Sequence, residues 1–126
     1  MKVRLINVRN NTRPNQVGII KDFVSFLQSS APLHGELEID FVSERSQEMT
    51  TGRNHSGKIL VLSTSRILID ILRTLAHEWV HEFQRQKGQE GNTESFLEDQ
   101  ANSISGYFIR QFMKENPEHE VEVYKD

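Results

Sequence analysis

Apolar residues recur at helical spacing at Val17, Ile20, Val24, Leu27 and Ala31, with Phe23 beside them. This periodicity predicts an amphipathic helix facing a core, ending near 32–35 where Pro32 and Gly35 interrupt it. Upstream, residues 3–8 mix apolar and basic side chains and read as a strand; the turn-rich stretch 10–14 offers Thr12 as a helix cap. Residues 36–42 alternate, with Leu37, Ile39 and Phe41 on one face, as a half-buried strand does. The polar stretch 43–57 reads as a loop, and 58–62 as a short apolar strand. Ser63, Thr64 and Ser65 are N-cap candidates for a long helix over 66–87, closed by Gly88. A third helix is predicted over 93–114 and is stopped by Asn116-Pro117; residues 121–124 form a last short strand or a tail. The order strand, helix, strand, strand, helix, helix predicts an α+β fold, a small twisted sheet of about three strands packed on three helices.

A chain of 126 residues, 36% hydrophobic and 26% charged, is expected to form a single domain over 1–126 with one core. It contains no cysteine, so disulfide scaffolds and thiolate zinc fingers are excluded, and any metal must be held by His, Asp or Glu. The net charge of −3 disfavours a nucleic-acid partner. The basic cluster Lys2, Arg4, Arg9 and Arg13 reads as a solvated edge. No apolar run approaches the ~20 residues of a membrane span, and the first residues do not read as a signal peptide. Cytoplasmic residence is the expectation.

The chemistry concentrates at His77-Glu78-Trp79-Val80-His81, a His-Glu-x-x-His pattern inside the second predicted helix. Histidines four apart lie one turn apart on one face, so both imidazoles can reach one ion. Zinc accepts neutral nitrogen ligands, and a catalytic site keeps a position open for water. Glu78 projects beside that position as the general base. At about 100° per residue, Leu68, Leu72, Leu75 and Trp79 form an apolar stripe. His77 and His81 point nearly opposite, sharing their side with Arg66, Asp70, Arg73 and Gln84.

A catalytic zinc usually has three protein ligands. Downstream, Glu94, Glu98 and Asp99 compete for the third place. The third helix carries an apolar stripe at Leu97, Ala101, Ile104, Phe108 and Phe112. Glu98 borders it, in line with small Ser105 and one turn before Ala101, where close helix approach is possible. Asp99 points away, and Glu94 lies in the first turn. Glu98 therefore fits best. Its bland alternative is a capping box, Ser95-Phe96-Leu97-Glu98.

The stretch 74–83 resembles the extended helix signature of zincin metallopeptidases, departing from it at Glu82, where an uncharged residue is usual. The histidine pair followed by Glu98-Asp99-Gln100-Ala101-Asn102 resembles the gluzincin arrangement. More narrowly, Glu-x-x-Ala-Asn after such a helix, led in by the strand at 57–62, is similar to the ImmA/IrrE metallopeptidase family. The similarity covers about 57–112. It implies a minimal zincin-like metallopeptidase domain with Zn2+ as cofactor. The ligands would be His77, His81 and Glu98, and Glu78 would activate the water that hydrolyses a peptide or protein substrate. The substrate would lie along a sheet-edge strand, for which 58–62 is the candidate.

His55 is the candidate oxyanion stabiliser, against its reading as an exposed loop histidine. Asp70 is a candidate for orienting an imidazole, against a solvent-exposed role. His34 and His119 carry no partner pattern and read as surface residues, and Tyr107 lies far around its helix from Glu98. Two other functions compete: a zincin-fold binding or regulatory module without turnover, and a zinc hydrolase of a non-peptide substrate.

Overall fold

The computed structural model describes residues 2–44 and 51–126. Among these are four strands, β1 (Lys2–Ile6), β2 (Glu36–Val42), β3 (Gly52–His55) and β4 (Lys58–Leu62). The helices are α1 (Val8–Asn11), α2 (Pro14–Ser30), α3 (Leu68–Gln86), α4 (Glu94–Glu115) and α5 (Glu120–Val123). The strands form one mixed sheet in the order β1-β2-β4-β3. β1 and β4 run parallel to β2, and β3 is antiparallel to β4, with Arg53 opposite Leu60. The fold is thus α+β, with one strand more than the hydrophobic pattern predicts.

The alternation in β2 works as expected: Leu37, Ile39 and Phe41 are buried, and Ile59 and Val61 of β4 join them. Helices cover this face. Ile20, Phe23 and Leu27 of α2 meet Leu68, Leu72, Leu75 and Trp79 of α3 and Phe112 of α4 in one core. Phe23 and Phe112 pack edge to face at 4.9 Å. The indole N–H of Trp79 donates to the carbonyl of Ala31 at 2.9 Å, which satisfies its one polar atom inside the core.

Several boundaries differ from expectation, each for a local reason. Asn7 sits in the left-handed region at φ 60, so the chain leaves β1 and Val8 opens α1 instead of extending the strand. The Thr12 hydroxyl bonds back to the Val8 carbonyl at the C-terminal end of α1 and does not cap α2, whose N-cap position is Arg13. α2 starts at Pro14, with the Gln16 side chain accepting from the N–H of Arg13 at 3.0 Å. None of Ser63, Thr64 and Ser65 caps α3. The Ser63 hydroxyl donates instead to the Asn11 carbonyl at 2.8 Å, and the N-cap position is Ile67. Gly88 holds the expected left-handed position past α3, at φ +74. Residues 120–123 are a short helix rather than a strand or tail, with Val123 buried beneath it.

The largest departure is β3, inside the stretch read as a loop; the part of that loop at 45–50 lies outside the described residues. Among the described residues β4 is therefore interior, and β3 and β1 are the two edges of the sheet. β3 can sit there because residue 52 is glycine. A Cβ at this point would stand 2.5 Å from Thr74 Cγ2 and 3.0 Å from Glu78 Cγ. The edge strand thus passes directly over the stretch of α3 that carries Glu78.

Candidate metal centre

α3 presents His77 and His81 on the side away from its buried stripe, and α4 brings Glu98 across to meet them. Glu98 Oε2 lies 3.1 Å from His77 Nε2, and Oε1 lies 2.9 Å from His81 Nε2. The two Nε2 atoms are 3.1 Å apart. Among the described residues these three form the one group of His and carboxylate side chains whose donor atoms converge closely enough to share a cation. Donors at zinc bond lengths around a tetrahedral ion stand ~3.3 Å from one another. The observed spacings fall close to that, and the donor set of two imidazoles and a carboxylate suits the ion.

The close approach of α3 and α4 is set by buried Ala101 and Ser105. The true N-cap of α4 is Thr93, whose hydroxyl accepts from the Phe96 N–H at 3.2 Å. Ser95 is already inside the helix, so the capping-box role for Glu98 falls away. Of the other two carboxylates, Glu94 lines the cleft outside the converging group, and Asp99 is exposed.

Burial lowers the pKa of His77, His81 beside it adds to the effect, and Glu98 opposes both. At neutral pH this imidazole is therefore uncharged, the form that binds a metal. Asn102 contributes a hydrogen bond to the same ring. Glu78 is only 8% exposed. Burial pushes its carboxyl up to about 7; His81 works against that and Glu98 with it. A carboxyl poised near the working pH is what a general base requires.

All four side chains line a cleft of about 1110 Å³ between β3, α3 and α4. A second cavity, about 700 Å³, lies beside β1 and contains none of them. Arg66 and Arg73 share one wall of the cleft with the carboxylate of Asp70, which faces Arg73.

His55 is not part of this wall. Asn54 reaches Glu82 on α3 and residue 52 abuts Glu78, so strand alternation turns His55 to the opposite face, where it is exposed. The oxyanion assignment for His55 is therefore withdrawn. Asp70 does not orient a histidine; its carboxylate faces Arg73 at 3.6 Å. His34 exchanges backbone hydrogen bonds with the Gln86 amide, and His119 pairs with Asp22 at 3.1 Å.

Two residues matter more than sequence reasoning suggests. Gln84 is buried, and its Oε1 lies 2.8 Å from His81 Nδ1. Glu82, where the zincin-like helix pattern breaks, is fully buried. It is ion-paired with Arg85, and it accepts from Asn54 Nδ2 at 2.7 Å and from the Gly57 N–H at 3.2 Å. Burial pushes the Glu82 carboxyl up, but these bonds outweigh it and hold the group below the usual carboxylate range. Glu82 therefore clamps the β3–β4 hairpin onto the helix that carries the histidines. No family model, curated protein or solved structure was found to match the chain.

Proposed function

We propose that the chain is a zinc-dependent metallopeptidase of the gluzincin kind, similar to the ImmA/IrrE family. The observation that carries the reading is the convergence of His77 Nε2, His81 Nε2 and the Glu98 carboxylate within 3.1 Å of one another. Three electron-rich groups this close repel one another unless a cation or protons lie among them. The same cleft holds a buried carboxyl at Glu78 with a pKa of about 7.

A bound zinc ion supplies Lewis acidity at the scissile carbonyl and lowers the pKa of water to about 7. His77, His81 and Glu98 would hold it. Glu78 takes the proton from the attacking water on its carboxylate and returns it to the leaving amine nitrogen. Among the described residues β3 pairs on one side only, with β4, and an extended peptide would add to its other side through main-chain hydrogen bonds. Gly52 sets that strand against Glu78 and so brings a peptide backbone to the base.

Glu78 also favours this reading over a binding module without turnover. Its carboxyl, buried beside the three ligands in the same cleft, is suited to moving a proton, which such a module does not need. The test is zinc content together with cleavage of an unbiased peptide library, for the parent and Glu78→Gln. The expected result is that the variant keeps its zinc and stops cutting. Identical library profiles for the two proteins would overturn the peptidase reading.

A further inference from the structure

We propose that Gln84 is a positioning residue: its amide fixes His81 in the Nδ1-protonated tautomer and ties that choice to the turn of α4 that delivers Glu98. Gln84 is 3% exposed, so water does not satisfy its amide. One end of that amide lies 3.0 Å from the carbonyl oxygen of Leu97, which can only accept. The NH2 group must therefore face Leu97, and its second hydrogen goes to Gln100 Oε1 at 2.8 Å. This leaves Gln84 Oε1 against His81 Nδ1 at 2.8 Å. The oxygen can only accept, so Nδ1 must carry the proton. A neutral imidazole protonated at Nδ1 has its lone pair on Nε2, the atom that faces Glu98 Oε1 and His77 Nε2.

Leu97 immediately precedes Glu98, and both Leu97 and Gln100 lie on α4. One buried side chain thus sets the lone pair of the second histidine and anchors the helical turn of the carboxylate. A metal ligand's other ring nitrogen commonly donates to such a partner, and losing the partner typically costs ~10–100-fold in metal affinity. The consequence for metal affinity rests on the function proposed above; the tautomer does not.

The experiment uses the whole chain and two readouts. Long-range 15N–1H correlation spectra of the metal-free protein at pH 8 report the tautomer of His81. Competition with a chromophoric chelator reports zinc affinity. In the parent, Nδ1 of His81 should be protonated. Gln84→Met, of similar volume, should give a mixed tautomer and zinc binding weaker by ~10–100-fold. Gln84→Glu still offers an acceptor to Nδ1 and should restore the parent tautomer, which a purely space-filling role would not predict. A parent with His81 bare at Nδ1 overturns the proposal, whether or not either variant folds. So does Gln84→Met with tautomer and zinc affinity unchanged. A parent that shows the Nδ1-protonated ring but takes up no zinc supports the tautomer assignment and overturns the metallopeptidase reading instead.

Discussion

Replacing Glu78 with Gln should stabilise the metal-free protein, and by an amount that grows with pH. Burial carries this carboxyl from an ordinary 4.5 to about 7. Below the lower value the group is protonated in both the folded and unfolded chains, and the substitution removes little. Between 4.5 and about 7 the unfolded chain gives up the proton while the folded one keeps it, so the parent loses stability as pH rises. Above about 7 both states are ionised and the penalty is constant. At about 1.4 kcal/mol per pH unit, its full size is on the order of 3 kcal/mol. Glutamine mimics the protonated carboxyl and carries no such penalty. Urea unfolding of both proteins, with chelator present, at intervals from pH 4.5 to 8 measures the difference. The expected curve starts near zero and levels off above neutrality with the variant more stable. A flat difference across the range, or a parent more stable at pH 8, would refute the burial argument.

Other predictions concern the ligands and the edge strand. Glu98→Ala should weaken zinc binding by more than the ~10–100-fold expected for losing an outer partner, while Glu94→Ala and Asp99→Ala leave it unchanged; chelator competition decides. Gly52→Ala places a methyl 2.5 Å from Thr74 Cγ2, so β3 must shift from α3. Stability should fall by ~1–3 kcal/mol and turnover should fall further than zinc affinity, as seen by comparing peptide cleavage with zinc titration. Glu82→Ala frees the β3–β4 hairpin, at a cost of about 2 kcal/mol given that Arg85 is partly solvated, and hydrogen exchange should speed up at Asn54 and Gly57. Because the Glu82 carboxyl is held below its ordinary range, its contribution is full at neutral pH and fades as pH falls through that lowered value. The stability gap between parent and Glu82→Gln should therefore narrow on acidification.

The elements with strong apolar period were legible: α2, α3, α4, β2 and β4 lie where spacing put them. So was the His77 and His81 pair, because helical spacing fixes the relative direction of side chains one turn apart; Glu98 was legible only as one of three carboxylates, the one bordering the apolar stripe of α4. β3 was not legible, since Gly52-Arg53-Asn54-His55 has no apolar alternation. What makes it a strand is pairing with β4 and the glycine that admits it beside α3, both tertiary facts. The error in β3 carried two others with it, the wrong edge strand and the wrong setting for His55. Gln84 was placed on the histidine side from helical geometry, but its burial depends on how closely α4 approaches, which no local pattern encodes. The serine-rich run before α3 illustrates the opposite failure: Ser63 has good capping chemistry but spends it on the Asn11 carbonyl.

X-ray absorption at the zinc edge of the purified, zinc-loaded protein reads the ligand set itself. One zinc per chain is expected, with two imidazole nitrogens and a carboxylate oxygen among its ligands at about 2.0–2.2 Å, and loss of that signal in His77→Ala. A protein that takes up no stoichiometric zinc, or whose zinc shows no imidazole scattering, would contradict the proposed metal centre.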